Sequence, residues 1–293
     1  MIECVPNFSE GRDEGVVRSI VEAIGGAPGV LLLGWEMDRD HNRSVVTFAG
    51  TPDAVVEGAI RGVGRAAELI DISRHEGVHP RVGAADVIPF VPLFGPIAGG
   101  TMEQCVHGAH LAGREIWNRF AVPVYFYESA AKIEGRKRLE RVRRPGFDGL
   151  PPDVGDISTH PSAGAAVVGA RGFLIAYNIN LRTRDVAAAK AIARKIRESS
   201  GGFPFVKAIG LPLASRDCAQ VSMNFVNFPE TSFDKVWEAV VQEAALLGTT
   251  VASSHLIGFV PMRAYEQAPG FFQRAENFDE SRVLENRIAQ LLK

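Results

Sequence analysis

Cysteine is scarce in this chain. Cys4, Cys105 and Cys218 are the only three in 293 residues, and they lie far apart. They make no C-x-x-C pair and no disulfide framework, so each reads as a small core residue in a reduced compartment. Net charge is also small, −2 from 32 basic and 34 acidic side chains. That excludes the broad basic field that nucleic acid or an anionic membrane surface requires. No apolar run approaches the roughly 20 residues that span a bilayer. The opening residues, Met1-Ile2-Glu3-Cys4-Val5-Pro6-Asn7, lack the basic and apolar regions of a secretion signal. The expectation is a cytoplasmic protein that binds neither nucleic acid nor membrane. A phosphate loop is missing too. Gly164 to Gly172 lacks the Lys-Ser/Thr pair and precedes a strand, so it reads as a turn.

What is present is concentrated in one stretch. Arg74-His75-Glu76-Gly77-Val78-His79-Pro80-Arg81 sets histidines, an acid and arginines just ahead of the apolar run Val87 to Leu93. Read literally, His75 to His79 spells H-E-x-x-H, a zinc-protease signature. Two histidines four apart share a metal only on a helix. Gly77 weakens a helix there by about 1 kcal/mol, and Pro80 pushes His79 out of the α region. The better reading is a flexible active-site loop running into a buried strand.

Hydrophobic residues make up 46% of the chain, enough for a packed core in a length that suggests two domains. Periodicity predicts strands over 2–5, 30–35, 43–49, 87–93 and 122–127, and helices over 16–24, 52–70 and 102–120. The prolines at 89 and 92 point to an edge position or an irregular start for the fourth strand. The second half repeats the order, with strands over 173–180, 206–213, 220–227 and 253–261. Its helices are predicted over 185–198, 232–247 and 278–292. Strand-helix-strand-strand-helix-strand in each half is the split-βαβ order. The expected fold class is therefore α+β, with two subdomains, 1–172 and 173–293. Each is a ferredoxin-like mixed sheet with helices packed on it. Two segments interrupt the pattern. Lys132 to Arg144 holds seven basic residues and reads as a solvated helix face, with an anion-docking patch as the alternative. Pro145 to Gly164 reads as a long loop between the halves.

Four blocks carry a resemblance. They are Glu3-Cys4-Val5-Pro6-Asn7-Phe8-Ser9-Glu10-Gly11-Arg12, Asp40-His41-Asn42-Arg43-Ser44-Val45, His79 to Phe90, and Gly169 to Asn180. In order and spacing the chain resembles the glutamate formimidoyltransferase (formiminotransferase) family over nearly its whole length, in the stand-alone form without a cyclodeaminase domain. The resemblance implies transfer of a formimino group from N-formimino-L-glutamate to N5 of tetrahydrofolate, with release of glutamate. It implies a homodimer, with folate bound between the two subdomains as co-substrate and no metal or redox cofactor. It implies His79 as the catalytic acid/base. The family's folate loop corresponds to Gly155-Asp156-Ile157-Ser158-Thr159-His160-Pro161-Ser162-Ala163-Gly164. Its carboxylate after the second strand corresponds to Glu36, with Asp38 and Asp40 close by.

The side chains suit that chemistry. One histidine, with a reference pKa of about 6.5, can take a proton from N5 and return one to the leaving nitrogen. A carboxylate from Glu36, Asp38 or Asp40 offsets the charge of a cationic formimino group. Arg43, Arg81 and Arg171 are candidates for gripping substrate carboxylates, since their forked geometry suits them. His41 is a candidate ligand contact. Asn178 and Asn180 share one face of a strand and are candidates for amide contacts with substrate. The competing readings are an inactive folate-binding member of the family and a metal-dependent hydrolase using His75 and His79.

Overall fold

Proline decides how the first strand is built. Pro6 has no amide to donate and splits the strand line into Ile2–Cys4 (β1) and Asn7–Phe8 (β2), both paired with the same neighbours. Helix α1 (Glu14–Gly25) begins where the Asp13 carboxylate accepts the amides of Gly15 and Val16. Its stripe Val17, Ile20, Val21 and Ile24 is buried. Strands β3 (Val30–Asp38) and β4 (Arg43–Gly50) form an antiparallel hairpin. Thr51 caps α2 (Pro52–Leu69), with Pro52 in its first turn. There follow β5 (Ala85–Pro92), α3 (Met102–Phe120), β6 (Val124–Glu128), the short helix α4 (Leu139–Val142) and β7 (Ala166–Ala170). This computed structural model describes residues 1–93, 99–143, 149 and 151–293. Arg144 and the first residues of the expected long loop lie outside them.

The chain divides into two compact units, Met1–Gly172 and Phe173–Lys293. In the first, the sheet order is β3-β4-(β1, β2)-β5-β7-β6. Strand β7 is parallel to β5 and to β6, and the other pairs are antiparallel. The expected strand-helix-strand-strand-helix-strand order is present, with β6 and β7 added beyond β5. Phe8, Val46, Phe48, Ile88 and Phe90 pack under α1, α2 and α3. Burying a side chain of this size contributes about 1.5–3 kcal/mol. That layer holds the unit together on one face of the sheet.

Three local expectations are corrected here. Strand β5 is central rather than an edge, and all of it is buried. Pro89 is tolerated because it faces the Val5-Pro6 gap, where its carbonyl accepts the Val5 amide and no amide of its own is needed. Residues 166–170, read as part of a turn, form strand β7. Their apolar run needed neighbours on both sides that sequence does not show. The basic segment is not one solvated helix face. It is a 3₁₀ turn, Glu134–Lys137, followed by α4. Leu139 and Val142 pack on Val87, Tyr127 and Val167, on the sheet face away from the helices. Arg136 is fully buried and ion-paired with Asp153 at 2.8 Å.

The second unit contains β8 (Ile175–Leu181), α5 (Val186–Ile196), β9 (Val206–Leu213), β10 (Cys218–Phe225), α6 (Phe233–Leu246) and β11 (Val251–Ile257). Its antiparallel sheet runs β11-β8-β10-β9. Two short helices missed from sequence, α7 (Met262–Gln267) and α8 (Pro269–Phe272), insert Phe271 and Phe272 among Tyr177, Phe225 and Phe233. The expected closing helix is shorter, Leu284–Leu291 (α9), because Asp279 opens a 3₁₀ turn first. Among the described residues no helix is long and apolar enough to cross a membrane.

Candidate active site

Three separated segments meet at the start of β5. The first is the turn after β2, the second the β3–β4 turn, and the third the loop from α2 into β5. Asn42 ties them together. Its backbone is left-handed (φ 46°), its Oδ1 accepts the Gly11 amide at 3.0 Å, and its Nδ2 donates to the Glu76 carbonyl at 2.8 Å. Gly77 packs so closely that a Cβ there would lie 2.5 Å from the His41 carbonyl oxygen. Arg81 Nη2 donates to the carbonyls of Gly77 (2.5 Å) and His79 (2.8 Å), clamping the loop from its other end.

No helix joins His75 to His79; His75 is extended (φ −84°, ψ 132°) after a 3₁₀ turn. The geometry that a shared metal demands is therefore not formed. The His75 ring faces inward, Nε2 donating to the Asn42 carbonyl at 2.9 Å, while its buried Nδ1 has no partner among the described residues. His79 is arranged differently. Its Nδ1 lies 2.8 Å from the Pro80 carbonyl, which can only accept, so Nδ1 carries the proton. In the neutral ring Nε2 is then the basic nitrogen, and it meets no partner among the described residues. The ring stacks on His41, centroids 5.7 Å apart.

Charge near His79 is organised by Asp86, which is fully buried. Asp86 Oδ2 accepts from Arg43 Nη1 at 2.6 Å and from Arg143 Nη2 at 2.5 Å; Oδ1 accepts the Val82 amide at 2.7 Å. Burial pushes the Asp86 carboxyl up, but the Arg143 and Arg43 guanidiniums hold it at about 2. Burial brings Arg43 down to about 10, so both remain charged at neutral pH. Arg43 Nε also donates to Asn7 Oδ1 at 2.9 Å. Burial and the Arg43 and Arg143 guanidiniums together hold His79 well below the usual histidine range, outweighing Asp86 and the Pro80 carbonyl. The result is an imidazole that takes up a proton less readily than a free one.

The remaining predicted residues fall into distinct settings. Glu36 and Asp38 lie two apart on the edge strand β3, opposite Val45 and Arg43. Asp38 Oδ1 accepts the His41 amide at 2.8 Å and so shapes the turn that carries His41. The Gly155–Gly164 loop is stitched to the strand just after His79. The Ala84 amide donates to the Ala163 carbonyl, the Ala165 amide to the Val82 carbonyl, and Gly83 pairs with Gly164. A Cβ on Gly164 would sit 2.4 Å from the Val82 carbonyl, so only glycine permits this approach. His160 organises the loop itself, its Nδ1 accepting the amides of Ser162 and Ala163. Arg171 donates to the Gly172 carbonyl and to Tyr127. In the second unit Asn180 is doubly engaged: Oδ1 accepts from Gln220 and Nδ2 donates to Ser253 Oγ, both at 2.9 Å. Asn178 is buried beside Ser222 and His255 in register, with no hydrogen bond to its amide among the described residues.

Residues 1–171 match the family model described as the formiminotransferase domain, N-terminal subdomain, and residues 176–291 match that of the formiminotransferase domain. The chain belongs to the formiminotransferase family. It is 39% identical over 298 residues to the glutamate formimidoyltransferase of Streptococcus pyogenes serotype M1, covering 98% of each chain. It is 40% identical over 299 residues to that of Thermoplasma acidophilum, covering 98% of this chain and 97% of the relative. The formimidoyltransferase-cyclodeaminase of Sus scrofa is 41% identical over 303 residues, which cover 97% of this chain and 55% of that protein.

Within this formiminotransferase-family chain, sequence reading missed four site residues: Asn7, Asn42, Asp86 and Arg143. Asp86 had a visible signal, a lone acid entering a strand that is otherwise apolar. Asn42 sits within the Asp40–Val45 block that carries the family likeness. Arg143 had no signal, because one arginine among many in a basic run is marked only by what it reaches.

Proposed function

We propose that the protein is a glutamate formimidoyltransferase that moves the formimino group of N-formimino-L-glutamate to N5 of tetrahydrofolate. N5 attacks the formimino carbon and loses a proton, the bond from that carbon to the glutamate nitrogen breaks, and the departing nitrogen gains a proton. His79 Nε2 is the group assigned to both transfers. The observation that carries this is the Nδ1–Pro80 hydrogen bond, which fixes the tautomer with Nε2 unprotonated. The low basicity of the ring supports it, because a catalyst that returns its proton quickly must not hold it tightly. A carboxylate on the β3–β4 side offsets the cationic formimino group, with Glu36 assigned first and Asp38 and Asp40 beside it in sequence. Positioning of the two substrates supplies much of the rest of the rate.

Folate is assigned to the Gly155–Gly164 loop, with Arg171 and Asn178 as further contacts and His41 against the reacting end, while Asn180 is assigned to holding Gln220 and Ser253. Arg43 and Arg81 act by shaping the site. The working form is assigned as a cytoplasmic homodimer without a disulfide. A steady-state assay with tetrahydrofolate and formiminoglutamate, following the 5-formimino product, tests the reading. Product formation that depends on both substrates is expected. Tight folate binding without turnover would point instead to a binding protein of the same family.

A further inference from the structure

The cluster around Asp86 holds one positive charge more than its own carboxylate balances. Arg43 and Arg143 share Asp86 Oδ2. Arg43 has a second acceptor in Asn7, whereas Arg143 Nε is buried with no partner, and no acceptor meets its Nη1, among the described residues. Its side chain is only 12% exposed, so water does little to screen the excess charge. A buried cation with unused donors is costly unless an anion joins it. The location is specific, since Asp86 also holds the amide of Val82, three residues after His79.

We infer that Arg143 binds the α-carboxylate of formiminoglutamate, which completes the charge balance of the cluster. The inference rests on the transferase reading above. It follows from the covalent structure of that substrate. The formimino group sits on the α-nitrogen, so the α-carboxylate is attached to the same carbon as the leaving nitrogen. A substrate whose leaving nitrogen reaches His79 therefore brings a carboxylate to within a few ångströms of it. The glutamate tail of the folate has the same chemistry, but an aminobenzoyl ring separates it from N5. The side-chain carboxylate of formiminoglutamate lies two carbons further out.

The test is a double cycle of enzyme and substrate truncation. Wild type and Arg143→Met are assayed with formiminoglutamate and with N-formimino-4-aminobutyrate, which lacks only the α-carboxylate. A second arm replaces tetrahydrofolate by tetrahydropteroate, which lacks the glutamate tail. For wild type, loss of the α-carboxylate should lower kcat/KM on the order of 10²-fold, the scale of a lost charge-assisted pair. In Arg143→Met that penalty should shrink to a few-fold, while the tetrahydropteroate penalty stays as in wild type. Arg143→Lys, which keeps the charge and loses the fork, should fall between the two and serves if the methionine variant does not fold. An unchanged α-carboxylate penalty in the variants overturns the assignment, and a shrunken tetrahydropteroate penalty moves the contact to the folate tail. Inactive wild type would instead sink the transferase reading itself.

Discussion

The sheet faces turned away from the main helix layers of the two units carry different chemistry on the same order of elements. In the first unit, alternation places Glu36, Asp38, Arg43 and Asn7 on the side away from Phe48 and its helices, and Asp86 and Arg143 join them there. In the second, Tyr177, Ile179 and Leu181 face the core, so Asn178 and Asn180 lie on the other side with Ser222, Gln220 and Ser253 opposite them. One face is charged, and its charges act on a histidine. The other is mainly amides and hydroxyls, with Asn180 held by Gln220 and Ser253 and with His255 opposite Asn178. Charged groups bias proton transfer, and neutral amides recognise a polar ring without perturbing its protonation. On the proposed function, proton transfer belongs to the first face and recognition to the second.

Removing the histidine breaks the comparison hardest. His79→Ala should lower kcat by roughly 10²–10⁴-fold, with folate affinity nearly unchanged by direct titration. Comparable damage from His75→Ala, together with tightly bound zinc in the parent, would favour a metal site instead. Asp86→Asn should come next. It leaves two buried guanidiniums without their carboxylate and should cost about 3–5 kcal/mol in denaturant unfolding. The sign with pH follows from the lowered carboxyl. The Asp86 contribution is complete above its unfolded value of about 3.9 and is lost as pH falls towards 2. An Asp86→Asn variant as stable as the parent at pH 7 would remove the cluster from the account.

The amide face gives smaller effects, and they separate two neighbours. Asn180→Ala strands the Gln220 amide and should cost about 1–3 kcal/mol of stability. Asn178→Ala should leave stability almost unchanged and raise the folate KM several-fold. The reverse pattern would mean that Asn178 is the structural residue. The mildest expectation concerns pH. Because burial and the arginines disfavour protonated His79, the acid limb of the kcat/KM profile should lie below the usual histidine range, activity falling only as pH drops through that lowered value. An acid limb at or above the usual histidine range would show that His79 does not titrate as assigned.

Much of this was legible in the chain. Val17, Ile20, Val21 and Ile24 announce their helix, and Pro52-Asp53 announces the next. Gly77 and Pro80 forbid a metal-binding helix through His79, and the loop is indeed not helical. Residues 166–170 were misread because a short apolar run next to glycines is a turn or a buried strand depending on its neighbours. Arg136 and Arg143 were misread because a basic run does not say which members fold inward. Pro89 was misread because the gap that accommodates it lies more than eighty residues earlier, at Val5-Pro6.

Sequence alone determined what depends on near neighbours: periodicity, the broken helix at Gly77-Val78-His79-Pro80, and the four blocks that carry the family likeness. It also placed the tautomer-setting carbonyl next to His79, since Pro80 follows it directly. Tertiary structure decided the electrostatics. Arg43 and Arg143 meet Asp86 across separations of 43 and 57 residues. A charge's effect on a proton depends on distance and burial, and neither exists until the chain has folded.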